Sequence, residues 1–363
     1  MVVVYLSPVN WDSIAQRPHF FADFITAYDV KKVIWVEPLP SRFPKYSDIR
    51  TRLIGVESKS IEKHPKIDVI RVENVVPIEP FNNLYKIINE KTIKKFITDL
   101  SSRIGDQKAI LVVGKPSILS LEVINNVVFS NVIADVMDDY PHFFKGKARE
   151  SVSNLLSKLL NKVNVSMFSS TGLLKKYSNV TNDSVLVMNA CSETFYSNLK
   201  DNEVDKGFSL TNTITYGYVG SVAKWFDWQF IEKLAVNRPN SKIVIVGPLY
   251  VKPDTVPDNV IIKSAIDYKD IPSLIRTFTY GIIPFQINEL TESVDPVKYY
   301  EYIAAGIPVI STSFGEMRCR VENGFAVNLE QHLAGIEPIV EEPVFWGDRF
   351  KFLNEGYLRA KKL

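Results

Sequence analysis

The stretch TITYGYVGSVAKWFDWQFIEKLAVNRPNSKIVIVGPL, from Thr213 to Leu249, decides the fold class. Its first apolar run ends on Gly220 and Ser221. Asp227 is a good N-cap for the amphipathic segment that follows, and a second run rich in Val and Ile ends on Gly247-Pro248. That order reads as strand, crossover helix, strand. Near-continuous apolar runs of this kind belong to strands buried on both faces of a parallel sheet.

The same alternation extends in both directions. Upstream, strands are expected at VVVYLS (from Val2), KKVIWVEP (from Lys31), DVIRVEN (from Asp68), AILVVGK (from Ala109), NVIADVMDD (from Asn131), VSMFSS (from Val165) and VLVMNA (from Val185). Helical stretches are expected near residues 13–28, 83–103, 117–126 and 148–162. Downstream, strands are expected at NVIIKSAI (from Asn259), YGIIPFQ (from Tyr280), IPVIST (from Ile307) and GFAVNL (from Gly324). Between Cys191 and Asn212 the pattern lapses into a polar stretch without sustained periodicity, which marks a domain boundary. An α/β protein follows, with two Rossmann-like parallel-sheet domains over residues 1–195 and 210–345.

Composition agrees with this. A chain of 363 residues exceeds one ordinary core, and 46% hydrophobic with 23% charged residues is a globular composition. Lys and Arg number 43 against 41 Asp and Glu, a net charge of +2 that does not announce a nucleic-acid partner. Cys191 and Cys319 show neither metal spacing nor a disulfide framework, and read as reduced thiols in a cytoplasmic protein. The N-terminus lacks the features of a signal peptide, and no apolar stretch reaches the roughly 18 residues of a membrane span.

Ligands of such sheets bind beyond the carboxyl ends of the strands, so site residues are sought there. In ESVDPVKYYEYIAAGIPVIST, from Glu292 to Thr312, Asp295 reads as N-cap and Pro296 as the first helical residue, while Gly306 and Pro308 end a helix over about 296–305. Lys298 lies in its first turn, where a cation is disfavoured unless an anion is near, and Glu301 follows on the same face. The pair reads as a phosphate grip with a carboxylate for sugar or ribose hydroxyls. It reads equally as an exposed surface pair. After the buried strand at Asn131, Asp138 and Asp139 offer two adjacent acids, whose mutual repulsion raises one pKa toward the range of a general base; a turn-capping Asp139 beside a solvated Asp138 is the plainer alternative.

The segment from Glu292 to Thr312 resembles the nucleotide-sugar motif of GT-B glycosyltransferases that build bacterial polysaccharides, in which a proline, a lysine and a glutamate precede an alanine-rich turn and Gly-x-Pro-Val. The resemblance implies two Rossmann-like domains with a deep interdomain cleft, and a C-terminal helix over 346–363 packing back toward the N-terminal domain. It implies a metal-independent, hexosyltransferase-type enzyme without cofactor, whose donor is a UDP- or GDP-linked sugar. Lys298 takes the donor diphosphate and Glu301 the ribose, with Tyr299 beside them. Gly220, Ser221 and Lys224 join the phosphate site, Trp225 and Trp228 read as core or site alike, and Tyr268 offers a stacking face for the base.

Many retaining relatives carry an earlier glutamate that contacts the donor sugar. Here that position is Ser293, flanked by Glu292 and Val294, which leaves stereochemistry open. On the acceptor side the family has a Trp and then Arg-Pro after the first strand, matched by Trp11, Arg17 and His19, with a packed histidine the plain alternative for His19. Asp138, with Asp139 as alternate, becomes the base that deprotonates the acceptor. The acceptor that the resemblance implies is a saccharide, free or lipid-linked, of capsule, O-antigen or exopolysaccharide synthesis. The basic stretches KTIKKF (from Lys91) and KGKAR (from Lys145) read either as solvated helix faces or as peripheral contacts with the cytoplasmic membrane face. Rival readings are a nucleotide-sugar epimerase of similar architecture and a two-lobed sugar-binding protein.

Overall fold

In the computed structural model, residues 1–13, 15–39, 63–78, 82–201, 213–353 and 356 are described. They form two compact units, one of Met1–Val187 joined by the described residues from Phe350 on, the other of Met188–Arg349.

The first unit holds a sheet of seven parallel strands: β1 (Val2–Leu6), β2 (Lys32–Val36), β3 (Ile67–Ile70), β4 (Ala109–Val113), β5 (Asn131–Val136), β6 (Val165–Phe168) and β7 (Ser184–Leu186). Their spatial order is β3-β2-β1-β4-β5-β6-β7. All seven expected strands are present. β1 and β4 have every residue buried, as expected for strands covered by helices on both faces. The covering helices include Arg17–Thr26, Asn82–Ile104, Ile118–Asn126 and Lys147–Leu160.

The second unit has five parallel strands in the order β10-β9-β8-β11-β12: β8 (Thr215–Val219), β9 (Lys242–Val246), β10 (Val260–Lys263), β11 (Tyr280–Ile283) and β12 (Val309–Ser311). The helix after β8, Trp228–Asn237, starts as expected, with the Asp227 carboxylate accepting from the backbone N–H groups of Gln229 and Phe230. The sixth expected strand, from Gly324, is reduced to a single bridge between Val327 and Ile310. Asn328 ends it by capping the helix Leu329–Leu333. Within the polar stretch after Cys191 lies a helix, Glu193–Asp201, anchored by Phe195 and Leu199 at i and i+4. The rest of that stretch, 202–212, lies outside the described residues, as does most of the C-terminal segment after Leu353.

Each sheet reverses its strand order once, between β1 and β4 in the first unit and between β8 and β11 in the second. Gly220 follows β8 directly, at the second of these switch points. No helix among the described residues is long and apolar enough to cross a membrane.

Candidate functional site

In the second unit the site grows from two glycines. Gly220 and Gly247, after β8 and β9, both have φ +147°, a conformation that side chains rarely adopt. A Cβ on Gly247 would lie 2.2 Å from the Gly220 carbonyl oxygen, and a Cβ on Gly220 would lie 2.2 Å from Lys298 Cε and 2.6 Å from its Nζ. The lysine chain therefore lies over bare backbone, with its ammonium 5.6 Å from the centre of the Tyr218 ring.

Lys298 comes from the first turn of the helix Val297–Ala304, and Glu301 from one turn further. Both are half-buried, and among the described residues neither side chain makes a hydrogen bond or a close ion pair. Burial lowers the Lys298 pKa, against the attraction of Glu301. Burial likewise raises the Glu301 carboxyl to about 7, with Lys298 opposing. Two desolvated charges without close partners are costly, a cost that an anion beside one and hydroxyls beside the other would relieve. The Glu301 charge also pushes up the Cys191 thiol and the Tyr268 phenol, after burial, which puts both groups near it. Tyr268 stands in the turn after β10 and packs its ring against Phe195, centroids 6.1 Å apart.

Several expected roles change. Asp295 does not cap the helix; Pro296 stands at that position with no side-chain bond. The Asp295 carboxylate is instead fully buried, accepting from Arg320 Nη2 at 2.8 Å, the Tyr300 hydroxyl at 2.9 Å and the Asn189 backbone N–H at 2.7 Å. Tyr299 points into the protein, its hydroxyl donating to Glu341 and its ring lying 4.0 Å from the Arg320 guanidinium carbon. Ser221 is half-buried with its carbonyl accepting from the Tyr218 hydroxyl, and Lys224 is exposed. Trp225 and Trp228 are held by packing, Trp225 beside Phe285 and Trp228 beside Phe226, with Trp228 Nε1 donating to the Val251 carbonyl. Ser293 is buried, and its neighbour Glu292 is exposed and gripped by both terminal nitrogens of Arg318, at 2.9 and 2.8 Å.

In the first unit β5 carries Asp135 and runs out to Asp138 and Asp139. Asp139 is buried; burial raises its pKa, but hydrogen bonds from Lys176 (2.6 Å), Tyr177 (2.7 Å) and His142 (2.8 Å) outweigh that and hold it below the usual carboxylate range. Asp138, only half-buried by surface area, has no such partners among the described residues. Burial first, then the charges of Asp139 and Asp135, push its carboxyl up to about 7, with Arg17 opposing. The two acids therefore behave oppositely, and Asp138 alone is poised to exchange a proton near neutrality.

Trp11, Arg17 and His19 are all buried, Trp11 and His19 with their rings 5.2 Å apart and Arg17 turned to other partners. Arg17 Nε binds Asp135 at 2.9 Å, Asp135 also accepts from the Tyr5 hydroxyl at 3.1 Å, and Arg17 Nη1 donates to the Val187 carbonyl. His19 Nδ1 accepts from the Gln16 backbone N–H, so Nε2 carries the proton donated to the Trp11 carbonyl at 3.0 Å, and burial lowers its pKa. The packed reading of His19 fits this geometry.

No family model matches the chain. A curated relative, TuaH of Bacillus subtilis (strain 168), assigned to teichuronic acid biosynthesis as a glycosyltransferase, is 22% identical over 353 residues, covering 86% of this chain and 81% of that protein. Sucrose-phosphate synthase from Thermosynechococcus elongatus superposes with a TM-score of 0.58 at 11% identity, covering 98% of this chain and 90% of that one. HepE from Anabaena, in complex with UDP-glucose, gives 0.57 at 12% identity over 98% and 89%. The chain has the GT-B fold.

Within this GT-B chain, three features escaped the sequence. Asp135 was visible as a lone carboxylate in the apolar run NVIADV, a signal of a buried pair. Gly247 repeats the placement of Gly220 one strand over. Arg320 carried no signal, since its partner Asp295 is 25 residues away.

Proposed function

We propose that the protein is a metal-independent glycosyltransferase of bacterial surface polysaccharide synthesis, taking a nucleotide-activated sugar on its second unit and passing it to a saccharide hydroxyl, free or lipid-linked. The observation that carries this reading is the Lys298 ammonium, lying over Gly220 at the switch point without a close anionic partner among the described residues. TuaH, and the UDP-glucose held by HepE, support the same reading.

Lys298, the Gly220–Ser221 backbone and the N-terminus of the helix Val297–Ala304 receive the donor diphosphate, and their positive charge meets the negative charge that develops as it leaves. Glu301 accepts hydrogen bonds from ribose hydroxyls. In transfer with inversion, Asp138 takes the acceptor's proton as the acceptor oxygen bonds to the anomeric carbon; the bond from that carbon to the diphosphate breaks, and its electron pair leaves on the phosphate oxygen; in transfer with retention, Asp138 positions the donor sugar instead.

A thermal-shift panel of UDP, GDP, dTDP and CMP with their sugars tests the donor. A stabilising nucleoside diphosphate, UDP first among them, is expected, since a ligand of the folded state raises Tm with occupancy. Release of that diphosphate only with acceptor present, and unimpaired by chelator, completes the case. Sugar interconversion without acceptor indicates an epimerase instead, and stabilisation by free sugar alone a binding protein.

A further inference from the structure

The helix Asn82–Ile104 has its inner face fixed by packing. Tyr85, Ile93, Phe96, Leu100 and Ile104 are buried in the core of the first unit, and buried Asn89 binds the Val76 backbone through both its N–H and its carbonyl. The outward face is therefore determined. At helical spacing it presents Leu84, Ile87 and Ile88, then Lys91 and Lys95, then Thr98 and Ser102.

The three apolar side chains are 50%, 70% and 48% exposed, a grouping that a helix facing only water would fill with charge. Lys91 and Lys95 are exposed and without ion pairs among the described residues. No acid shares the stripe. The helix's two acids lie on its flanks and are neutralised there, Glu90 by Lys94 at 2.7 Å and Asp99 by Arg103 at 2.7 Å. An apolar wedge followed within two turns by uncompensated lysines complements a surface that is apolar below and anionic above.

We propose that this face docks on an anionic lipid bilayer, with Leu84, Ile87 and Ile88 entering the boundary between headgroups and acyl chains and Lys91 and Lys95 meeting lipid phosphates. The inference is independent of the sugar-transfer reading, because it concerns a surface that takes no part in the reaction.

Flotation of the full chain with vesicles of phosphatidylcholine alone, or of phosphatidylcholine mixed with phosphatidylglycerol, tests it. The wild type is expected to float with the mixed vesicles only. The variant Leu84→Ser/Ile87→Ser/Ile88→Ser, and the variant Lys91→Glu/Lys95→Glu, are each expected to bind about tenfold or more weakly. Thermal melts should match the wild type, as every altered side chain is exposed. The control Lys242→Glu/Lys252→Glu makes the same change in net charge on exposed residues of the second unit and should float normally. A wild type that stays with neither vesicle, as a helix docking a protein would, overturns the proposal. So do equal binding to both vesicles, full binding by the two helix variants, or equal loss in the control.

Discussion

The two units share the order of their first five strands but spend their buried charges differently. In the first, Arg17 and Tyr5 hold Asp135, Asp139 is held by Lys176, Tyr177 and His142, and Asp138, without such partners among the described residues, has its carboxyl pushed up to about 7. In the second, the structural charges are equally well paired, Asp295 with Arg320, yet Lys298 and Glu301 are half-buried and unmatched by close partners among the described residues. Paired buried charge holds a fold together. Unmatched buried charge lowers stability and persists where a ligand or a proton completes it.

Substitution should therefore separate the two kinds. Asp138→Asn should cut the transfer rate about 10²–10⁴-fold while leaving donor binding intact, the loss expected for a general base and read in steady-state kinetics. It should also stabilise. Asp138 and Glu301 keep a proton in the folded state up to about pH 7. The stability this contributes is full below the ordinary carboxyl range and is lost as pH rises through about 7. The Tm of the wild type should fall over that window, and that of Asp138→Asn should fall less. Transfer should rise through the same window as Asp138 loses its proton.

Arg17→Met probes the opposite case, because it leaves the Asp135 carboxylate buried beside the Tyr5 hydroxyl without its cation. A loss of about 3–5 kcal/mol in denaturant unfolding is expected, as for breaking other buried pairs. Glu301→Gln should spare the fold and weaken nucleotide binding by roughly three- to tenfold, the difference between charged and neutral acceptors. It should also flatten the pH dependence of that binding near 7. The smallest effect belongs to Tyr299→Phe, which removes one hydrogen bond to Glu341. It should cost about 1 kcal/mol in unfolding and leave nucleotide affinity unchanged.

Much of this was legible in the sequence where the signal is local. Apolar runs marked all twelve strands among the described residues, most plainly β1 and β4, where burial on both faces excludes polar residues, and Pro296, Lys298, Glu301 and Gly306 marked the helix Val297–Ala304 within eleven residues. The inward placement of Tyr299 follows from one step of helical geometry. A residue adjacent to Lys298 is turned about 100° away from it and faces the core. The pairings of Asp295 with Arg320 and Arg17 with Asp135 span 25 and 118 residues, and nothing local encodes a partner so distant. The opposite behaviour of Asp138 and Asp139 was equally hidden, since it depends on Lys176 and Tyr177, nearly forty residues on.

The account stands most directly on Lys298, and calorimetric titration of UDP into the wild type and Lys298→Ala tests it. Saturable binding to the wild type, about ten- to a hundredfold weaker in a variant that melts no lower, is the predicted result, the scale of one charge-assisted hydrogen bond. Equal affinity in the two proteins would contradict it.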